Sequence, residues 1–101
     1  MSGEFEFLEP WFADANPALV DELRRELASG HVLFGTPVSA VARRRDCDDV
    51  LYALEDGSGR VAVVHLTWSA EVDPAWPATE LFDDMASWAE TMRNDHNEHG
   101  A

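Results

Sequence analysis

The segment DVLYALEDGSGRVAVVHLTW, residues 49–68, constrains the fold more than any other part of the chain. Two runs rich in β-branched and apolar residues flank DGSG, where glycine supplies the positive backbone angles of a tight hairpin turn. An antiparallel pair follows, DVLYALE (49–55) against RVAVVHLTW (60–68). With a loop of two or four residues, Tyr52 falls opposite Val63, Leu54 opposite Val61 and Val50 opposite His65. One face then carries Val50, Tyr52, Leu54, Val61, Val63 and His65, and the other Leu51, Ala53, Val64, Leu66 and Trp68.

VSAVARRR (38–45) reads as a third strand. A one-residue slip moves every side chain of a strand to the other face, so its arginines choose its register. A three-residue loop, Asp46, Cys47 and Asp48, sets Ala40 and Ala42 beside Leu54 and Tyr52 and leaves Arg43 and Arg45 on the opposite face. A two-residue loop would bury the arginines.

Helices are predicted on either side of these strands. In NPALVDELRRELASG (16–30), Asn16 can cap, Pro17 suits the first helical position and Gly30 can end the helix in a left-handed conformation. Leu19, Val20, Leu23 and Leu27 form its apolar stripe. A last helix is expected from about Thr79, as N-cap, to Asn94, with Leu81, Met85, Trp88 and Met92 at helical spacing. The expected fold is α+β: a single domain over 1–101, built as a three-stranded antiparallel meander with both helices packed on one face (α-β-β-β-α). Residues 1–15 are read as an N-terminal arm, in which EFEFLEPWF (4–12) is a short strand or extended chain broken by Pro10, and 95–101 as a flexible tail. On the sheet's mixed face the arm, with Phe5, Phe7, Leu8 and Trp11, is expected to cover part of the apolar cluster and a homodimer the rest.

Charge narrows the function classes. Twenty Asp and Glu stand against seven Arg and no Lys, a formal charge of −13 with 46% of residues hydrophobic. Such a field repels polyanions, so nucleic acid and anionic membranes are not expected partners, whereas a basic protein is. No run approaches the roughly 20 apolar residues of a membrane span. The opening MSGEFEF is acidic where a signal peptide is basic, and Cys47 is alone, which together predict a cytoplasmic protein.

VVHLTWS followed by WPATELF resembles a family of small, acidic, uncharacterised bacterial proteins that share an HLTWS…WP.T..F segment. The resemblance covers the second half of the chain and implies no catalytic residue to carry over. The candidates must therefore be weighed directly. Cys47 lies among Asp46, Asp48 and Asp49, whose charge opposes the thiolate a nucleophile needs. His65 alone among the histidines sits within a strand, where a general base would need an orienting partner. His96 and His99 can share a helix face, but a solvated tail is the simpler reading and no metal or cofactor is expected. Two functions remain. The first is a non-enzymatic acidic protein-interaction domain of inhibitor, immunity or adaptor type, presenting tryptophans such as Trp68 and Trp76 among carboxylates. The alternative is a small-molecule pocket or minor enzyme centred on His65, Tyr52 and Trp68.

Overall fold

A computed structural model describes residues 6–69, 73 and 76–99 of the chain. Its elements are β1 (Trp11–Ala13), α1 (Pro17–Glu26), β2 (Val38–Arg44), β3 (Asp49–Leu54), β4 (Val61–His65), β5 (Ala78–Phe82) and α2 (Met85–His99). The class is α+β, but the expected three-stranded meander is incorrect: five antiparallel strands lie in the order β1-β2-β3-β4-β5. One added strand comes from the N-terminal arm and the other from a segment expected to be helical. Trp11–Ala13 pairs with β2, and Ala78–Phe82, expected to open the last helix, pairs with β4 along its whole length.

The helices do not share a face. On one side Leu19 and Leu23 of α1 pack with Val38, Ala40, Val50, Tyr52, Leu54, Ala62, Val64 and Leu66. On the other, Trp88 and Met92 of α2 pack with Trp11, Ala42, Leu51 and Val61, flanked by Phe7 and Leu8. Adjacent strand residues point to opposite faces, so Tyr52 and Leu51 mark the two sides. A sheet with large apolar side chains on both faces needs cover on both, and one helix each supplies it.

The expected register is corrected by one residue. Tyr52 pairs with Ala62, Leu51 with Val63 and Asp49 with His65. Leu54 N–H donates to the Arg60 carbonyl at 3.0 Å, which leaves residues 55–59 as the loop. An odd loop exchanges the faces of β4 relative to the even loop expected. Asp56 shapes it by accepting from the Ser58 N–H and hydroxyl, and Gly57 and Gly59 take φ of +84° and +77°. On the other side of β3, a bulge between Ala40 and Ala42 turns Ala40 toward α1 and Ala42 toward α2. Leu51, Val64 and Leu66, expected on a mixed face, are thus buried within one chain, the first under α2 and the others under α1.

Helix limits follow from side-chain anchors. The Asn16 side chain accepts from Ala18 N–H as expected of a cap, but α1 stops at Glu26 rather than reaching Gly30, with Leu27 already extended. Helix α2 starts beyond Asp84, whose carboxylate accepts the Ser87 N–H at 2.8 Å and takes the capping role expected of Thr79. It continues to His99, and His96 contacts the Glu9 carbonyl at 2.7 Å. The N-terminal stretch is held on this side by Trp11, which meets Trp88 edge-on at 5.1 Å and donates its indole N–H to Asp95. Phe5, residues 70–72 and 74–75, and the side chain of His99 lie outside the described residues.

Candidate functional site

Glu26 ends α1 on the same face as Leu23, three residues before it, and Leu19, seven before it, and it is fully buried. Its carboxylate accepts the Thr67 N–H at 2.8 Å, the Thr67 hydroxyl at 3.0 Å and the Trp68 N–H at 2.7 Å. These bonds hold the chain just past β4 in a turn where Trp68 takes φ of +59°, a left-handed value that non-glycine residues rarely adopt. Burial and a hydrogen bond donated to Glu22 raise Glu26 above the usual carboxylic range. Glu22 itself is held below its usual value: burial opposes ionisation, but the hydrogen bonds to Glu26 and Arg25 prevail. The anchor leaves the Trp68 side chain 48% exposed.

A second anchor lies on the loop between α1 and β2. His31 is buried, and its Nδ1 faces the Leu33 N–H at 3.0 Å. A backbone N–H can only donate, so Nδ1 accepts, and the neutral ring carries its proton on Nε2. Nε2 donates to the Pro77 carbonyl at 2.9 Å and lies 3.2 Å from the Thr79 hydroxyl. Pro77 leads directly into β5, so the loop is pinned to the strand that starts beside the end of β4. His65 pairs with Ala78, which places Trp68 and Trp76 at the same end of the sheet. Trp76 is 47% exposed there, while Val32 and Phe34, on either side of the buried Leu33, are 59% and 55% exposed. Phe34 also borders a cavity of about 310 Å³ with Arg24, Leu27 and Leu33.

The third feature is a groove of about 230 Å³ on the α2 side, lined by Asp49, Val63, His65, Ala78, Thr79 and Glu80. Asp49, His65 and Ala78 form one row across three strands, and His65 Nδ1 lies 2.7 Å from Asp49 Oδ1. An ionised carboxylate only accepts, so the imidazole donates through Nδ1.

The four residues singled out in the sequence are thus separated. Tyr52 is completely buried on the α1 side and donates its hydroxyl to the Leu19 carbonyl at 2.7 Å, and burial holds its phenol well above the usual range. His65 points to the opposite face. Trp68 and Trp76 lie toward the same end of the sheet, where His65 ends β4, whereas Tyr52 is in the middle of β3 on the α1 side. Cys47 is half-buried; burial raises its thiol, the Asp49 and Asp46 charges add to this, and the thiolate is disfavoured. Among the described residues no group of three or more His, Cys, Asp or Glu is placed to hold a metal ion.

Sequence reasoning missed Glu26, His31 and Asp49. Glu26 had a legible signal, a carboxylate three and seven residues along from the leucines of an apolar stripe. His31 stands next to Val-Leu-Phe, which hints at burial but names no partner. Asp49 had no signal, because its meeting with His65 depends on the register. Comparisons with known protein families, with curated proteins and with solved structures find no match. Among the described residues no helix is long and apolar enough to cross a membrane.

Proposed function

We propose that the chain is a non-enzymatic interaction domain of inhibitor, immunity or adaptor type that docks on a basic protein partner, and that it works in the cytoplasm. The observation that carries this reading is the exposure of Trp68, Trp76, Phe34 and Val32 around two buried polar anchors. Large aromatic side chains on a backbone that is already held lose little freedom on binding, which is the property of interface anchors. The formal charge of −13 favours a cationic partner and speeds its encounter. A lone Cys47, with no second cysteine in the sequence, supports the reducing compartment. A catalytic reading centred on His65, Tyr52 and Trp68 lacks support, since these three sit on different faces or ends of the sheet.

Co-purification from native extract with the tagged chain tests the proposal, compared with the Trp68→Ser/Trp76→Ser double variant. One or a few basic proteins should be retained by the parent and lost by the variant, and their retention should weaken at high salt. Equal retention by both proteins, or a partner set without basic character, would overturn it.

A further inference from the structure

Strand β5 closes one side of the sheet and has β4 as its neighbour on one side only. Leu54 N–H bonds to the Arg60 carbonyl and Leu66 N–H to the Asp48 carbonyl, so the even-numbered residues of β4 bond toward β3. In an antiparallel ladder the alternate residues bond the other way, so Val61, Val63 and His65 exchange hydrogen bonds with Phe82, Glu80 and Ala78. The N–H and carbonyl groups of Thr79 and Leu81 are therefore turned to the outside. Among the described residues nothing bonds to these four backbone groups.

We propose that this free edge accepts an extended, basic segment of the partner as a sixth strand. The proposal rests on the interaction-domain reading and names the mode of docking. Exposed edges of this kind are templates for strand addition, in which main-chain bonds hold the peptide and alternate side chains select it. The charge along the edge chooses the occupant. Glu80 is exposed on β5, Asp83 and Asp84 follow at once, and Asp49 lies in the adjoining groove. A second copy of β5 would set these carboxylates against their equivalents, and like charges directly opposite are destabilising. A cationic segment meets the opposite sign instead. Its side chains on the α2 side flank Ala78 and Glu80, next to the groove lined by the Asp49 and Glu80 carboxylates, so lysine or arginine belongs at these positions. Those on the α1 side flank Thr79 and Leu81, where β-branched residues fit. The occupant is an alternating basic and β-branched strand about as long as β5.

The probe is a capped heptapeptide, Lys-Thr-Lys-Val-Lys-Thr-Lys, added to the full chain and followed by amide hydrogen exchange at Thr79 and Leu81 and by titration calorimetry. Binding should slow exchange at both amides by about ten-fold or more, because each N–H enters a new ladder. The same peptide N-methylated at alternate residues should bind at least about ten-fold more weakly, a loss of roughly 1.4 kcal/mol. Glu80→Arg should weaken the unmodified peptide while leaving the fold intact, since Glu80 is exposed. Absence of peptide binding, or equal binding of both peptides without protection of Thr79 and Leu81, would overturn strand addition; the broader reading would then still stand on a partner that is lost with Trp68 and Trp76. Slow exchange at both amides without peptide, together with a doubled mass by light scattering, would give the edge to a second copy and overturn the proposal as well. Failure of the interaction reading shows separately, as partner retention indifferent to the two tryptophans.

Discussion

Replacing Glu26 by glutamine tests whether the carboxylate beneath Trp68 organises the exposed aromatic end. The substitution keeps shape and one carbonyl oxygen, which can still serve Thr67 in place of Oε1. The amide NH₂ that replaces Oε2 then faces the Trp68 N–H, donor against donor, where the carboxylate accepted at 2.7 Å. Stranding a buried N–H costs about 1–3 kcal/mol, and weakening the Thr67 bonds from charged to neutral adds about 1 kcal/mol. The left-handed backbone of Trp68 is worth roughly 1–2 kcal/mol of strain, which the turn sheds once its anchor fails. The net loss is expected at about 1.5 kcal/mol, which for a domain of this size lowers the melting temperature by roughly 6 °C or more.

The pH dependence of Glu26 has a definite sign. Its folded pKa is raised above the ordinary 4.5, so between 4.5 and that raised value the folded state holds a proton the unfolded state has released. The contribution of Glu26 to stability is therefore complete below that window and declines as pH rises through it. Glu22, held below 4.5, acts in the opposite sense: its contribution is present above 4.5 and is lost as pH falls through its depressed value. Urea unfolding of both proteins, followed by tryptophan fluorescence at several pH values, should show a parent advantage that is largest at the acid end of the Glu26 window and smaller at neutral pH. A glutamine variant within about 0.5 kcal/mol of the parent throughout, or an advantage that grows with pH, would refute this account of the anchor.

Three further outcomes are expected. Tyr52→Phe removes the hydroxyl that satisfies the Leu19 carbonyl and should cost about 1 kcal/mol in urea unfolding, with no change in the retained partners. Asp84→Ala removes the cap of α2 and should lower the melting temperature at neutral pH; hydrogen bonds from Ser87 depress the Asp84 pKa below 3.8, so its contribution is present above 3.8, is lost as pH falls through the depressed value, and the gap to the parent should close there. Salt at moderate concentration should raise the melting temperature at pH 7 by screening the repulsion among twenty carboxylates, and a flat or falling curve would mean that ion pairs such as Arg44 with Asp46 and Asp95 already offset it.

What the sequence determined by itself was what can be read within one segment. The cap and first turn of α1, the strand character of VSAVARRR, DVLYALE and RVAVV, the turn at DGSG and the acidic surface all depend on residues a few positions apart. Tertiary structure decided whatever depends on two segments meeting. Residues 79–82 satisfy a helical spacing and a strand alternation equally well, and they became a strand because β4 had a backbone edge to pair and Asp84 could cap the helix after it. The five-residue loop set the faces of β4, and the bulge after Ala40 set those of β2; both are shifts by one residue that leave local composition unchanged and exchange everything the core sees. The same dependence joined His65 to Asp49 rather than to Tyr52, and brought Glu26 under Trp68 across forty-two positions of chain. A carboxylate can be buried at the end of α1 only because a distant turn offers it two backbone N–H groups, and that complementarity exists only once the chain has folded.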